Sequence, residues 1–142
     1  MFNLYFASAI DVYPEKAFKQ IEKFKRVLSK YKVNVFGAGM NKDSPIIDEH
    51  ATLELKGVIC AYDYRMIRQC DILLVVVDQK TFCPGTCMEL EYGRKLGLYI
   101  IVLSLGGDFI KNIFIETFAS KIIYSIKDLE VILENVVGKK NE

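Results

Sequence analysis

Asp71-Ile-Leu-Leu-Val-Val-Val-Asp78, followed closely by Cys83-Pro-Gly-Thr-Cys-Met-Glu-Leu-Glu-Tyr-Gly93, decides the fold of this chain. The first stretch is apolar without alternation, as a parallel strand covered on both faces must be. Pro84 and Gly85 break the chain, and Thr86 opens a run with helical spacing that continues to Leu96. A strand, a turn and a helix in that order put a helix amino terminus at the ligand-binding edge of an α/β sheet. Glu89 is the carboxylate near that terminus and a candidate nucleophile. The same residues also read as a capping box, Thr86-x-x-Glu89, in which hydroxyl and carboxylate satisfy orphan amides reciprocally. The helix dipole favours an ionised Glu there in either case, so these residues alone leave both readings open.

The rest of the chain alternates strand and helix patterns. Residues 3–7 form a short apolar strand ahead of a turn through Asp11 and Pro14. Ala17, Ile21, Phe24 and Leu28 then recur at spacings of three and four, the buried stripe of a helix with lysines opposite. Residues 32–36 alternate and stop at Gly37, and the following loop, 37–45, is long enough to bear on binding. A helix over 55–69 is weakened by Gly57. Beyond the helix over 86–96 come a buried strand over 98–103, ended by Gly106 and Gly107, a helix over 109–118 and a short strand over 121–125. Ser125 can cap a last helix, 127–137, with Leu129, Ile132 and Val136 on one face. Five strands with intervening helices predict an α/β fold, a flavodoxin-like (Rossmann-like) three-layer sandwich around a five-stranded parallel sheet. The expected strand order is 2-1-3-4-5, with strands one and three meeting at the switch point. One domain spans 1–137, and 138–142 is a polar C-terminal tail expected to be solvated.

Composition narrows the function classes. At 142 residues the chain suits one domain, burying roughly two-thirds of its unfolded surface. Nineteen basic against eighteen acidic residues give a net charge of +1, so no field for a nucleic acid polymer is implied. No run approaches the roughly 18 apolar residues of a membrane span, and the amino end lacks a basic region ahead of an apolar one. The expectation is a soluble, cytoplasmic protein with no membrane partner. The four cysteines, Cys60, Cys70, Cys83 and Cys87, and the single histidine, His50, lack the paired spacing of a zinc site, so no metal is expected. Cys60 and Cys70 read as core thiols, and Cys83 and Cys87 flank the turn.

The expected topology gathers Tyr5 to residue 9, Asp71 and the Glu89 corner. At these positions the chain resembles the nucleoside 2-deoxyribosyltransferases and their nucleotide N-glycosidase relatives. Leu4-Tyr-Phe-Ala-Ser8 resembles the family's opening strand and turn. Asp63, eight residues before Asp71-Ile, resembles its paired aspartates. Gly85-Thr-Cys-Met-Glu-Leu-Glu-Tyr-Gly93 resembles its Gly-Thr-x-x-Glu signature. Lys111-Asn-Ile-Phe-Ile115 resembles its late Asn-x-Met-hydrophobic segment, ahead of a final strand and a Ser-x-x-x-Leu helix. The likeness covers most of the chain except 37–53.

What the resemblance implies is a retaining transfer without a cofactor. Glu89 attacks C1′ of a 2′-deoxyribose, and a second base or water releases the sugar ester. Asp71 contacts or protonates the base, Tyr5 holds the nucleophile by its hydroxyl, and Asp63 supports the site. Ala7, Ser8, Gly85, Thr86 and Asn112 line the substrate. The implied partners are a small-molecule deoxynucleoside, a free nucleobase and further copies of the chain, in a homo-oligomer, a dimer or a multiple of dimers, whose active sites are shared through the Asn112 segment.

Three departures from the family pattern matter. Cys83 stands where an Asp is usual six residues before the nucleophile, and Glu91 replaces a glycine two residues after it. The turn Ser8-Ala-Ile-Asp11 lacks the glycines and arginine that cradle a 5′-phosphate, and an anion site without them is electrostatically poor. Asn112 suits a neutral 5′-hydroxyl, which favours nucleosides over 2′-deoxynucleoside 5′-monophosphates as substrates. The alternatives are an N-glycosidase of such monophosphates, a phosphoribohydrolase of the cytokinin-activating type, and a non-enzymatic nucleotide-sensing domain on the same fold.

Overall fold

The computed structural model describes residues 1–8, 14–37, 39–40, 52–77, 84–107 and 109–141. Its elements in chain order are β1 (Phe2–Ala7), α1 (Pro14–Leu28), β2 (Val33–Phe36), α2 (Leu53–Arg68), β3 (Ile72–Val77), α3 (Pro84–Leu96), β4 (Tyr99–Ser104), α4 (Ile113–Phe118), β5 (Lys121–Ile123) and α5 (Ile126–Val136). The strands form one parallel sheet in the order β2-β1-β3-β4-β5, as expected. Every residue of β3 is buried, which is why its sequence shows no alternation. Expectations about Asp11, Cys83, His50 and the loop through 41–51 lie outside the described residues.

Alternate residues of each strand feed two cores. Leu4 and Phe6 of β1, with Ile72, Leu74 and Val76 of β3, pack under Ile21, Phe24 and Leu28 of α1 and Leu129 and Leu133 of α5. Tyr5 and Ala7, with Leu73, Val75 and Val77, face Ile67 of α2, Leu90 of α3 and Ile115 of α4. Gly37 closes β2 at φ 128, where any side chain would collide with the Phe6 carbonyl oxygen; only glycine holds both the angle and the approach.

Several boundaries depart from the sequence reading. Helix α2 begins earlier, at Leu53, because Thr52 caps it by accepting from Leu55 N at 3.2 Å, and it runs through Gly57, where an added Cβ would meet nothing within 4 Å among the described residues. The expected helix over 109–118 is divided. A 3₁₀ turn, Phe109–Lys111, precedes Asn112, whose extended backbone starts α4 and whose Oδ1 accepts from Phe114 N at 2.9 Å. Ser125 caps α5 as expected, accepting from Asp128 N at 3.1 Å. The polar tail is pinned rather than free: Lys32 N donates to Gly138 O and Lys140 N to Lys30 O, each at 2.9 Å. Cys70 is buried but Cys60 is exposed, so only one of the two expected core thiols is one. Among the described residues no helix is long and apolar enough to cross a membrane.

Candidate active site

Tyr5 lies in the floor of the α2–α3 side of the sheet, 2% exposed, between Phe36 of β2 and Leu73 of β3 in register. Its hydroxyl is hydrogen-bonded to two carboxylates, Glu89 of α3 and Asp63 of α2. Parallel crossovers from β2 to β3 and from β3 to β4 lay these two helices side by side on one face. One strand residue and two helix residues, 84 positions apart at the extremes, thus meet in one polar cluster beneath an apolar shell.

Electrostatics separates the three groups. Burial, then the charges of Glu89 and Asp63, push the Tyr5 phenol far above its ordinary range, so it stays protonated. Burial pushes the Asp63 carboxyl up to about 6, against a lowering by its bond to Tyr5. One oxygen of each carboxylate, Asp63 Oδ1 and Glu89 Oε2, is buried, and Asp63 Oδ1 makes no hydrogen bond among the described residues. A phenol has one proton to give, so two carboxylates facing it compete for it. Burial thus favours the protonated form of Asp63 and raises its pKa to about 6.

The profile of the nucleoside 2-deoxyribosyltransferase family matches residues 4–122. The chain belongs to this family. Among solved structures it is similar to the 2-deoxyribosyltransferase of the psychrotolerant bacterium Bacillus psychrosaccharolyticus, with 23% identity and TM-score 0.75 over 90% of both chains. It is also similar to a CMP N-glycosidase of Clostridium botulinum, with 18% identity and TM-score 0.57 over 94% of this chain and 98% of that one. The 2-desoxiribosyltransferase of Leishmania mexicana is 20% identical, with TM-score 0.57 over 75% of this chain and 66% of that one. Identities this low show a shared fold. No curated protein sequence is a significant match.

Not every residue that the deoxyribosyltransferase resemblance implied lies in the cluster. Asp71 does not: it precedes β3 at the amino end of the sheet, and its Oδ2 accepts from Asn3 N at 2.9 Å. The six residues of β3, roughly 20 Å of strand, separate it from the corner where α3 begins. The sequence reading grouped Asp71, at the start of its strand, with the corner at the other end; in the structure it is Asp63 that meets Tyr5 and Glu89. The capping box also fails. Pro84 is the first residue of α3, a position that suits its fixed φ and missing N–H, so Thr86 is inside the helix and no acidic residue occupies its first turn.

The remaining implied residues are spread along the carboxyl ends of the strands. Ala7 is buried at the end of β1, and the Ser8 hydroxyl beyond it donates to Gln20 Oε1 at 2.7 Å. Gly85 is exposed on the first turn of α3 and Thr86 is buried beneath it. Asn112 is exposed after β4, its side-chain oxygen engaged in capping α4. Tyr64, adjacent to Asp63, was not singled out in the sequence. Its ring packs on Tyr92 at 4.7 Å between centroids, and burial and then the Glu89 charge raise its pKa. With Met88 and Cys87 these rings line an open groove of about 500 Å³ beside the cluster. Its sequence signal was faint: an aromatic at the same helical level on each of two neighbouring helices.

Proposed function

We propose that this protein transfers 2-deoxyribose between nucleobases, cleaving the N-glycosidic bond of 2′-deoxynucleosides with retention. The observation that carries the reading is the Tyr5 hydroxyl bridging Glu89 and Asp63. Tyr5 is fixed by the sheet and orients the Glu89 carboxylate that attacks C1′. Glu89 forms an ester bond to C1′ as the C1′–N bond breaks, and the base leaves with the bonding pair. Asp63, protonated, gives its proton to the departing base through the oxygen that Tyr5 does not occupy. In the second half an incoming base nitrogen attacks C1′, Glu89 leaves as carboxylate, and the base proton returns to Asp63. Two displacements at C1′ give retention, and one carboxylate and one acid suffice because no 2′-hydroxyl destabilises the oxocarbenium-like transition state. Water in place of the second base makes the same site a hydrolase.

The 5′ side of the substrate falls to Asn112, whose amide NH₂ suits a neutral hydroxyl. The exposed run Asn112, Ile113 and Phe114 favours a homo-oligomer in which Asn112 of the partner subunit completes each site, as closed two-fold symmetry allows. Incubating the protein with deoxyinosine or thymidine and free adenine, then separating products by chromatography, tests the function. Deoxyadenosine is the expected product. Release of base without exchange replaces transferase by hydrolase, and no reaction with any deoxynucleoside or its monophosphate removes the enzymatic reading. For the shared site, mixing inactive Glu89→Ala and inactive Asn112→Ala chains restores part of the activity; no recovery in verified mixed oligomers takes Asn112 out of it.

A further inference from the structure

We infer that Gly93 is a positioning residue: its missing side chain sets how deeply α3 lies on the sheet and so holds Glu89 against Tyr5. The inference rests on the reading of Glu89 as nucleophile, and it concerns a residue with no polar atom of its own to offer a substrate.

Gly93 is buried on α3, directly over Leu73 of β3. A Cβ there would stand 2.8 Å from Leu73 Cδ2, well inside the ~3.5–4.0 Å at which carbon atoms pack. Leu73 cannot simply swing aside. It is 0% exposed, with Tyr5 beside it in register on β1 and Ile100 on β4, and packed cores leave no room for a displaced methyl. Strand β3 is itself held by parallel hydrogen bonding to β1 and β4. Helix α3 rests on the sheet by side-chain packing, so the helix is the part that yields.

The displacement reaches the reacting group. Glu89 lies four residues before Gly93, one helical turn away on nearly the same face. The strand residue that Gly93 contacts is the register neighbour of the residue Glu89 bonds to. Lifting α3 at Gly93 therefore lengthens the Tyr5–Glu89 contact and opens the α2–α3 seam around Asp63. Intrinsic propensity argues against glycine inside a helix, so the close approach supplies the reason for it. Gly57 of α2 and Gly85 of α3 show the contrast, since a Cβ on either meets nothing within 4 Å among the described residues.

The test compares Gly93→Ala, Leu73→Ala, the double variant Gly93→Ala/Leu73→Ala, and Gly57→Ala as a control. Two quantities are read: deoxyribosyl exchange, and the titration of the Asp63 carboxyl by ¹³C NMR without substrate, assigned by loss of its signal in Asp63→Asn. Gly93→Ala should lower kcat by about 10- to 100-fold, the cost of an ångström-scale misplacement, with a smaller change in KM. It should also move the Asp63 titration down toward the ordinary carboxylate range as water enters the seam. The double variant should recover the titration and much of the rate, and Gly57→Ala should change neither. An unchanged titration and rate in folded Gly93→Ala overturn the proposal. If Gly93→Ala alone does not fold, the double variant decides: it must fold and titrate as Leu73→Ala does, and failure in either respect is equally fatal. Because the titration needs no substrate, an inactive wild-type protein would sink the functional reading while this measurement still decides the positioning.

Discussion

Leu4 and Phe6 of β1 point to one side of the sheet, and Tyr5 and Ala7 to the other. The two sides are built for different ends. Under α1 and α5 the core is apolar, with Phe6 and Phe24 stacked obliquely at 5.2 Å and its tyrosine, Tyr31, sending its hydroxyl to Glu130 at 3.1 Å. Under α2 and α3 a buried tyrosine and two carboxylates share too few protons among them. Burying a carboxylate is costly unless its charge is compensated, so the second side gives up stability that the first supplies. A step of one residue along β1 carries the chain from one regime to the other.

Substitutions on the two sides should therefore separate rate from stability. Glu89→Gln is expected to lower exchange by about 10³-fold or more while the melting transition stays cooperative; appreciable exchange in the purified variant would break the assignment of the chemistry to the α2–α3 side. Phe24→Ala, which empties a fully buried position on the other side, should cost about 3–5 kcal/mol in denaturant unfolding. Its kcat should match wild type wherever the variant is folded, and a lower kcat there would mean that the two sides are coupled. Tyr5→Phe should lower kcat by about 100-fold, the cost of letting the nucleophile slip by about an ångström, and should raise the Asp63 pKa, because the bond to Tyr5 lowers it. A titration of Asp63 that stays put in Tyr5→Phe would deny the contact.

The smallest effect is on stability and has a definite sign. Asp63 releases its proton near 3.8 in the unfolded chain and near 6 in the folded one. Between those values the folded state binds more protons, so stability falls as pH rises through this window. Asp63→Asn should flatten the fall and add about 1–2 kcal/mol at pH 7, a figure discounted for partial solvation of the side chain. The same substitution takes away the acid, so exchange should be lowered at every pH and should no longer fall as pH climbs through about 6, as it is expected to in the wild type. A Tm profile in which wild type and variant run parallel from pH 4 to 7 would show that Asp63 is not buried as a charge.

How far the sequence could be read follows from what each signal depends on. The central strands of the sheet were legible because strands covered on both faces must be apolar, as β3 is throughout and β4 is over its middle residues, Ile100 to Leu103. The stripe of Ile21, Phe24 and Leu28 announced α1 and its buried side for the same reason. The place of a polar residue was harder to read. Asp63 and Asp71 are both acidic residues next to apolar ones, and only the three-dimensional level of each, mid-helix above Tyr5 or beneath the sheet beside Asn3, tells them apart. Thr86 and Glu89 fit a capping box in spacing, but Pro84 had already started the helix. Asn112 ended one turn and began another through a bond from its own side chain, which periodicity does not register.

The pinned residues 138–140 bear on how this protein could be handled. They pair with Lys30–Lys32, just before β2, and Lys139 reaches Glu134 at 3.0 Å. That fixes the C-terminal end of the described chain at the amino end of the sheet, whereas α3 descends over Tyr5 from the carboxyl end. A linker joined after Asn141 would leave from the end of the sheet opposite the corner where α3 begins. Tethering the protein to a bead or a second enzyme by that linker would present the carboxyl ends of the strands outward to the medium.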